Sequence, residues 1–276
     1  MEQPGIYIVP PYAAGPRGKR ALRYTRRSPV TPATMFTPVD PHMTPDEHFP
    51  LQTVFAPNRP AYPRFVNRYD SREMLLVVDG SCVNNGRYSD AKGGCSFMFK
   101  GSASGNTHKQ VPITLPLVGK AATDTPSGNV AFQLEAEGPT GESLPHTSNR
   151  AKLRAVIAAL QFRPWDAEGW RRVVILTDLE YIVDGATAWM PRWVKRRWRK
   201  PHRGGAYLNR DLWEELQHRI DELRENGCEV AFWLARDNRK GESQFIAQAK
   251  AAAKQAARAV PDAQLEKFTK LCGIMV

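Results

Sequence analysis

Two aspartates follow apolar runs whose length and composition suit buried strands. Asp79 comes directly after the run at residues 74–78, and Asp178 comes two residues after the run at residues 173–176. Runs of this kind are typical of strands that are covered on both faces. Open α/β sheets commonly place ligand-binding groups at the carboxyl ends of their strands. The two carboxylates are therefore candidates for ligand binding, although either one taken singly is better explained as a turn or helix-cap residue.

Three tryptophans occur within one short and strongly basic stretch. Trp189, Trp193 and Trp198 are interleaved with cationic residues, namely Arg192, Lys195, Arg196, Arg197, Arg199, Lys200 and Arg203. Aromatic rings can stack on bases or sugars while cations neutralise phosphate. The stretch therefore predicts a nucleic-acid-binding surface. The alternative is that the tryptophans anchor this segment to the core and the charges are merely solvated.

The apolar pattern also predicts the elements that position these residues. Further strands are expected at residues 93–99, 130–134 and 229–234. A helix opens near residue 152, because apolar residues follow the spacing i, i+3, i+4 and i+7 at Leu153, Val156, Ile157 and Leu160. Ser148 or Asn149 is expected to cap it.

Two more helices complete the predicted order. One is capped by Asn209 and ends at Asn226-Gly227, and the last long helix spans about residues 243–258. This alternation of strands and helices predicts one α/β domain.

The first 70 residues differ from the rest in composition. Of 22 prolines, 13 lie between Pro4 and Pro63, and the segment has no apolar periodicity. Such a segment buries too little surface to offset its ordering entropy, so residues 1–70 are predicted to be mostly disordered. The folded domain is predicted at residues 71–259, with an exposed insertion at about 101–129 and a C-terminal tail at 260–276.

A basic cluster lies within the proline-rich segment, at residues 17–20 and 23–27. It fits a nuclear signal, a phosphate-binding arm or part of a mitochondrial presequence, and it equally fits a solvated charge run without a dedicated role.

Bulk properties narrow the class of protein. The 276 residues carry a formal net charge of +11, which favours a polyanionic partner but also suits a merely soluble surface. Four dispersed cysteines without metal-binding spacing predict reduced thiols and an intracellular location, nuclear or cytoplasmic, with mitochondria as the alternative. A membrane span and a secretory signal are not expected, because long apolar runs are absent.

Four blocks of the chain together resemble type 1 ribonuclease H, especially its filamentous-fungal branch, over about residues 74–257. The first is LLVVDGSC at 75–82, followed by Asn85-Gly86, and the second is TSNRAKL at 147–153. The third is VVILTDLEY at 173–181, continued by residues 185–189 and 209–213, and the fourth is VAFW at 230–233, before an alanine-rich helix. The resemblance implies a ribonuclease H-like α/β fold, in which a five-stranded mixed sheet is flanked by helices.

The resemblance also implies a metal-dependent chemistry. The family hydrolyses the RNA strand of RNA/DNA hybrids with two Mg²⁺ ions about 4 Å apart, which converging carboxylates bind. The four acids of the family map to Asp79, Lys152, Asp178 and a residue of the last helix. That last residue is Ile246, with Gln248 and Lys250 as alternative registers, and Glu242 is the nearest carboxylate. Only the two aspartates are acids, so Mg²⁺ binding by Asp79 and Asp178 is expected to be weak or absent.

Positions that contact substrate in the family are better kept. By resemblance, Ser81, Asn84 and Asn85 lie along the RNA strand, and Thr147, Ser148 and Asn149 contact DNA phosphate and the minor groove, with help from Asn209. The tryptophans, with Lys195, Arg196 and Arg197, fall where the family lines its DNA-strand channel.

Three functions are consistent with these residues. The first is a pseudoenzyme that binds RNA/DNA hybrid, double-stranded RNA or DNA, and needs no cofactor. The second is an active ribonuclease H that uses Mg²⁺ through an altered ligand set. The third is an interaction scaffold for a protein partner.

Overall fold

The protein is described from a computed structural model. The structure describes residues 32–55, 62–85, 90–101, 128–200, 206–235, 243–259 and 267–271, together with the backbone of 7–8 and 122–124. The basic cluster at residues 17–27, Gly86, Arg203, Glu242 and most of the predicted insertion lie outside these residues.

Strands and helices alternate along the chain. The N-terminal elements are β1 (Tyr7–Ile8), β2 (Thr34–Met35), α1 (Pro45–His48), β3 (Leu51–Phe55) and β4 (Tyr62–Phe65). Then come β5 (Glu73–Val83), β6 (Lys92–Met98), β7 (Ala122–Asp124), β8 (Asn129–Gln133), α2 (Ser148–Gln161), β9 (Arg172–Thr177) and α3 (Glu180–Asp184). A π-helical turn (Gly185–Trp189), α4 (Met190–Lys195), α5 (Arg210–Glu225), β10 (Glu229–Leu234) and α6 (Gln244–Arg258) complete the order.

A mixed sheet forms the centre of the fold. Its strand order is β2-β10-β9-β5-β6-β8-β7, where β2, β10, β9 and β5 run parallel and β6, β8 and β7 continue antiparallel. The predicted five-stranded mixed sheet is confirmed as β10-β9-β5-β6-β8. Two short strands, β2 and β7, extend it at either edge, and β1, β3 and β4 form a small second sheet.

Helices cover both faces of the central sheet. Met74, Leu76 and Val78 of β5 belong to the larger apolar cluster, which includes α2 and α5. The intervening Leu75 and Val77 belong to a second cluster with α6 and the N-terminal segment. Because side chains alternate along a strand, this division explains why β5 is apolar at consecutive positions.

Two glycines allow helices to approach the sheet closely. A Cβ atom on Gly80 would lie 2.3 Å from the backbone nitrogen of Lys152 in α2. A Cβ atom on Gly94 would lie 2.2 Å from the carbonyl oxygen of Ala253 in α6. The backbone of α2 therefore rests against the strand next to Asp79, and this contact determines where the side chain of Lys152 begins.

The prediction that residues 1–70 are mostly disordered is wrong for the described part of that segment. Phe49, Val54, Phe65 and Val66 are fully or almost fully buried, and β2 pairs with β10 at the sheet edge. The proline count describes the average composition of the segment, whereas its dispersed apolar residues complete both parts of the core: Phe49 and Phe65 pack in the cluster that includes α6, and Val54 and Val66 in the larger cluster. The domain therefore includes residues 32–55 and 62–70.

Smaller corrections concern helix caps and the tail. Thr147, rather than Ser148 or Asn149, caps α2, because its hydroxyl accepts the Arg150 amide at 3.1 Å. Asn209 is the N-cap of α5 but has φ of 56° and makes no capping hydrogen bond. Of the predicted tail, Leu271 is buried against the core.

Of the residues that the structure describes, none belongs to a helix long and apolar enough to traverse a lipid bilayer.

Candidate functional site

Asp79 lies on β5, and Asp178 directly follows β9, the adjacent parallel strand. Val77 of β5 pairs with Leu176 of β9, so each aspartate stands two residues beyond a paired position. β5 continues past Asp79 to Val83, where it pairs with β6, rather than ending at residue 78 as expected. The register therefore brings the two carboxylates together, as the resemblance implied.

Lys152 occupies the space between these carboxylates. Its Nζ lies 2.8 Å from Oδ1 of Asp79 and donates a hydrogen bond to Oδ1 of Asp178. The side chain of Lys152 is 12% exposed, against 2% for Asp79 and 28% for Asp178. We call these three residues, with the groups that contact them, the acid pocket.

Burial and charge act in opposite directions on the pKa values of the pocket. Burial raises the pKa of the Asp79 carboxyl, and the Lys152 ammonium and the Gly80 amide, which donates to Asp79 at 2.7 Å, oppose this change. Burial alone would lower the pKa of Lys152, but attraction to Asp79 and hydrogen bonds to both carboxylates raise it above its usual value. Lys152 therefore stays protonated at neutral pH.

The last helix places no acid at the pocket. The sequence of α6, from Gln244 to Arg258, contains neither aspartate nor glutamate. Ile246 is 2% exposed and belongs to the apolar cluster that contains Val77 and Leu176. It packs among residues that precede the two aspartates on their strands.

Lys250 of α6 lies close to one of the two aspartates. Its Nζ lies 3.9 Å from Oδ2 of Asp178, and its side chain is 55% exposed. It lies about one helical turn beyond Ile246. From the sequence, Lys250 was only an alternative position for a missing acid, whereas the structure brings its ammonium group to the pocket.

The residues that the structure describes at the acid pocket do not fit a divalent metal site. Within the described ranges, no group of three or more histidine, cysteine, aspartate or glutamate side chains could hold an ion. Mg²⁺ requires oxygen ligands in near-octahedral geometry, and here an ammonium group contacts both available carboxylates. At about 4 Å and an effective dielectric near 20, such a contact is worth on the order of 4 kcal/mol before desolvation.

The predicted RNA-contact residues lie at the far end of β5. Ser81 is half-buried within the strand, whereas Asn84 and Asn85 are exposed in the turn that follows it. The thiol of Cys82 lies 3.4 Å from the carbonyl oxygen of His146, directly before Thr147. This contact joins the end of β5 to the start of α2, where Ser148 is half-buried and Asn149 is exposed.

A buried ion pair ties α2 to α5. The guanidinium of Arg150 contacts Asp211 through two hydrogen bonds of 2.9 and 2.6 Å, and both side chains are almost fully buried. Asn209 lies at the edge of this pair, 3.5 Å from Arg150 and 3.5 Å from the Tyr181 hydroxyl. Asn209 is thus placed beside the start of α2, where the resemblance puts it.

The predicted tryptophans form part of a continuous aromatic cluster. Trp193 has ring centroids 6.0 Å from Trp189 and 5.8 Å from Trp198. Tyr207 lies 4.7 Å and Trp213 5.6 Å from Trp193. Tyr181 contacts Trp189 and Trp213, and its hydroxyl accepts the indole N–H of Trp213 at 3.0 Å. The two tyrosines and Trp213 were not among the site residues predicted from the sequence, although they are aromatic and lie near the tryptophan-rich stretch.

Exposed cations flank Trp198 in the chain. Lys195, Arg196 and Arg197 are exposed, and Arg197 and Trp198 have positive φ values of 54° and 58°. Left-handed backbone is strained for such residues, so α4 ends here in an unusual turn. We call the aromatic cluster and its exposed cations the aromatic–basic surface. Trp193 and Trp198 pack against the larger apolar cluster, so these rings anchor the segment to the core, as the alternative proposed.

Comparisons with known proteins all find similarity to ribonuclease H. The RNase H family model matches residues 119–232. The ribonuclease H of Treponema pallidum subsp. pallidum is 30% identical over 152 residues, which cover 54% of this chain and 74% of that protein. The ribonuclease H of Cyanothece sp. is 41% identical over 76 residues, which cover 28% of this chain and 46% of that protein.

Other matches cover less of the relative or resemble the fold more loosely. The ribonuclease H of Xanthomonas oryzae pv. oryzae is 41% identical over 92 residues, 32% of this chain and 57% of that protein. The chain thus spans about half the length of several curated relatives that it matches. A solved structure described as LC9-RNase H1, a type 1 RNase H with the type 2 active-site motif, is 27% identical with a TM-score of 0.42. That match covers 66% of this chain and 72% of the other. Identity of 30% across three quarters of the Treponema protein shows that the chain belongs to the ribonuclease H family.

Proposed function

We propose that this chain binds RNA/DNA hybrid or other structured nucleic acid without cleaving it. The observation that carries the proposal is the ammonium of Lys152 between Asp79 and Asp178. Two carboxylates that neutralise a lysine cannot at the same time serve as ligands for a pair of Mg²⁺ ions. Hydrolysis by the family's metal-dependent route is therefore expected to be lost or strongly impaired.

The aromatic–basic surface supports the binding half of the proposal. Lys195, Arg196 and Arg197 are exposed, and no salt bridge to an acid within the described part of the chain involves their side chains. Cations in this state release counterions when they contact phosphates, so affinity should fall steeply with salt. Half-exposed Trp189 and Trp198 provide flat apolar surface beside them.

A cleavage assay tests the proposal. A labelled RNA/DNA hybrid is incubated with Mg²⁺ and either wild-type protein or one of two double variants, Lys152→Glu/Ile246→Asp and Lys152→Glu/Lys250→Asp. We expect no cleavage by the wild type and Mg²⁺-dependent cleavage by the double variant that restores the correct ligand set. Using both registers on α6 matters because Ile246 is buried whereas Lys250 lies nearer to Asp178.

Two controls make the assay decisive. Asp79→Asn in the cleaving variant should abolish its activity, and circular dichroism should show that each variant is folded. Cleavage by the wild type that chelator and Asp79→Asn both abolish would instead establish an active ribonuclease H with an altered ligand set. A folded wild type that neither binds hybrid at low salt nor cleaves it would favour the scaffold function.

Two further assignments stay predictions. Membership of the filamentous-fungal branch rests on the sequence blocks alone. An intracellular location rests on the cysteine pattern, and the compartment within the cell is left to direct localisation of the full chain.

A further inference from the structure

His146 joins three neighbouring strands of the central sheet directly before α2. The amide of Gly93 in β6 donates a hydrogen bond to Nδ1 of the His146 ring at 3.0 Å. Nε2 of the same ring lies 3.2 Å from the carbonyl oxygen of Glu135, two residues beyond β8. The thiol of Cys82 in β5 contacts the carbonyl oxygen of His146 at 3.4 Å. The residue is thus held both through its ring and through its backbone.

Only the neutral form of the His146 ring satisfies both ring contacts. The amide of Gly93 can only donate, so Nδ1 must carry no proton. The carbonyl oxygen of Glu135 can only accept, so Nε2 must carry the proton. A second proton on the ring would set the N–H at Nδ1 against the N–H of Gly93, and this contact would then open.

The ring stands beside residues that the family resemblance places on nucleic acid. Thr147 follows His146 directly, and its hydroxyl caps α2 by accepting the Arg150 amide at 3.1 Å. Ser148 and Asn149 form the first turn of that helix. A change in the position of His146 therefore moves the backbone that carries these contact residues.

The surroundings of His146 favour its neutral form. Burial lowers the pKa of His146, and the positive charge of Arg150 acts in the same direction. The hydrogen bond to the Glu135 backbone and the Glu135 carboxylate oppose this change. The charged groups beside the ring among the described residues lie in ion pairs or in solvent, namely Arg150 with Asp211, Glu135 with Arg154, and the exposed Lys92.

We infer that His146 is a positioning residue, whose neutral ring holds residues 147–149 in the conformation that contacts nucleic acid, so that protonation of the ring weakens binding. The inference rests on the proposed function and adds a pH dependence to it. Affinity is full above the unperturbed pKa of about 6.5 and declines as the pH falls from there through the folded pKa.

The sign of this pH dependence separates positioning from simple electrostatics. An added positive charge near a polyanion would by itself strengthen binding. Positioning by the neutral ring requires the opposite, namely that binding weakens when His146 gains its proton.

Fluorescence anisotropy with a labelled RNA/DNA hybrid, at pH 7.5 and pH 5.5 and constant salt, tests the inference in the full chain. His146→Asn keeps an acceptor near the position of Nδ1 and does not titrate, whereas His146→Phe keeps a ring but neither contact. At pH 7.5 we expect His146→Phe to bind about tenfold more weakly than the wild type, and His146→Asn to recover most of that loss.

Between pH 7.5 and pH 5.5, the wild type should lose about fivefold in affinity relative to His146→Asn. His218→Asn, which replaces an exposed histidine of α5, is the matched control and should leave the pH response of the wild type in place. Equal pH responses of the wild type and His146→Asn would overturn the inference and leave the proposed function intact.

Nuclear magnetic resonance gives a readout that needs no nucleic acid. The ¹⁵N signals of the His146 ring should show the Nε2–H tautomer at pH 7.5, and the Gly93 amide signal should shift as the ring titrates. Circular dichroism at both pH values establishes that each variant is folded, and the titration of the wild type decides the matter if His146→Phe is not. A Gly93 signal that ignores this titration would refute the positioning contact, whereas a folded wild type that binds no hybrid at low salt would refute the proposed function and this role with it.

Discussion

The acid pocket and the aromatic–basic surface differ in how their charged side chains are paired and exposed. In the pocket, Lys152 contacts two acids from neighbouring strands and is 12% exposed. On the aromatic–basic surface, Lys195, Arg196 and Arg197 are exposed at the end of a helix. The first region satisfies its charges within the molecule, whereas the second presents them to solvent.

This difference indicates which region performs which task. A buried, matched set of charges contributes to the integrity of the fold, because removal of one partner leaves another unpaired in a medium of low dielectric. Exposed cations contribute little to stability and are available to an external anion. Substitutions in the pocket should therefore change stability most, and substitutions on the surface should change affinity most.

The largest expected effect is on stability, from Lys152→Ala. Loss of the ammonium leaves the buried carboxylate of Asp79 beside that of Asp178, so the free energy of unfolding should fall by about 3 kcal/mol. Urea denaturation at pH 7 measures this change. Lys254→Ala, a lysine of α6 exposed to solvent, should change it by less than about 0.5 kcal/mol. A loss below about 1 kcal/mol for Lys152→Ala would mean that the pocket charges are solvated rather than matched.

The next effect is on affinity, from neutralising the surface. A triple variant, Lys195→Gln/Arg196→Gln/Arg197→Gln, should weaken hybrid binding about thirtyfold, or about 2 kcal/mol, and reduce the salt slope by about three. Its free energy of unfolding should stay within about 0.5 kcal/mol of the wild type. Anisotropy titrations over a range of salt concentrations, paired with denaturation curves, separate the two quantities.

A matched control removes three exposed cations elsewhere, by Arg72→Gln, Lys254→Gln and Arg258→Gln. If this control weakened binding as much as the first triple variant, net charge rather than the aromatic–basic surface would determine affinity. The distinction between the two regions would then rest on stability alone.

Part of the acid pocket could be predicted from the sequence, and part of it could not. β5 and β9 were placed within a few residues, because strands buried on both faces are continuously apolar and Asp79 and Asp178 follow them. The family resemblance also placed Lys152 at the position of an acid that belongs with these two. The sequence could not show that Lys250 reaches Asp178, because the rotation of α6 about its axis depends on the contacts of Ile246 and Ala249 with the sheet.

The N-terminal segment was predicted least well. Its prolines indicated disorder, yet Phe49 and Phe65 pack beneath α6. The apolar residues of this segment show no regular spacing, because the segment is a series of short elements rather than one helix or strand. The hydroxyl of Ser243 donates to the Asp46 carboxylate at 2.6 Å, which joins α1 to the start of α6. Contacts between such distant residues cannot be read from local patterns.

His48 is a buried titratable group that belongs to neither the acid pocket nor the aromatic–basic surface. This histidine is fully buried among the rings of Phe36, Tyr69 and Trp233, and neither ring nitrogen has a hydrogen-bond partner in the described part of the chain. Burial lowers the pKa of His48, as does the positive charge of Arg68, while Asp40 opposes the change.

The folded state therefore binds the His48 proton more weakly than the unfolded state. Stability should be complete above the unfolded pKa of about 6.5 and should decline as the pH falls from there through the folded pKa. Asp40 offsets part of the cost of the charge, so we expect a smaller loss than for Lys152→Ala. Urea denaturation at pH 7.5 and pH 5.5 measures the loss, and His48→Phe should reduce it. An undiminished loss in His48→Phe would assign the acid sensitivity to other groups.

The smallest effect on stability is expected for an exposed ion pair beside the aromatic–basic surface. Arg210 pairs with Glu214 at 2.8 Å, both side chains are more than a third exposed, and the Arg210 guanidinium lies 5.8 Å from the ring centroid of Trp198. Glu214→Gln should lower the free energy of unfolding by only about 0.3 kcal/mol, and this loss should vanish at high salt, because exposed i, i+4 pairs are weak and screened. The same substitution leaves Arg210 without its acid, so hybrid affinity should rise slightly while stability falls. A change in which both quantities fall together would mean that Glu214 supports the geometry of the surface rather than its charge balance.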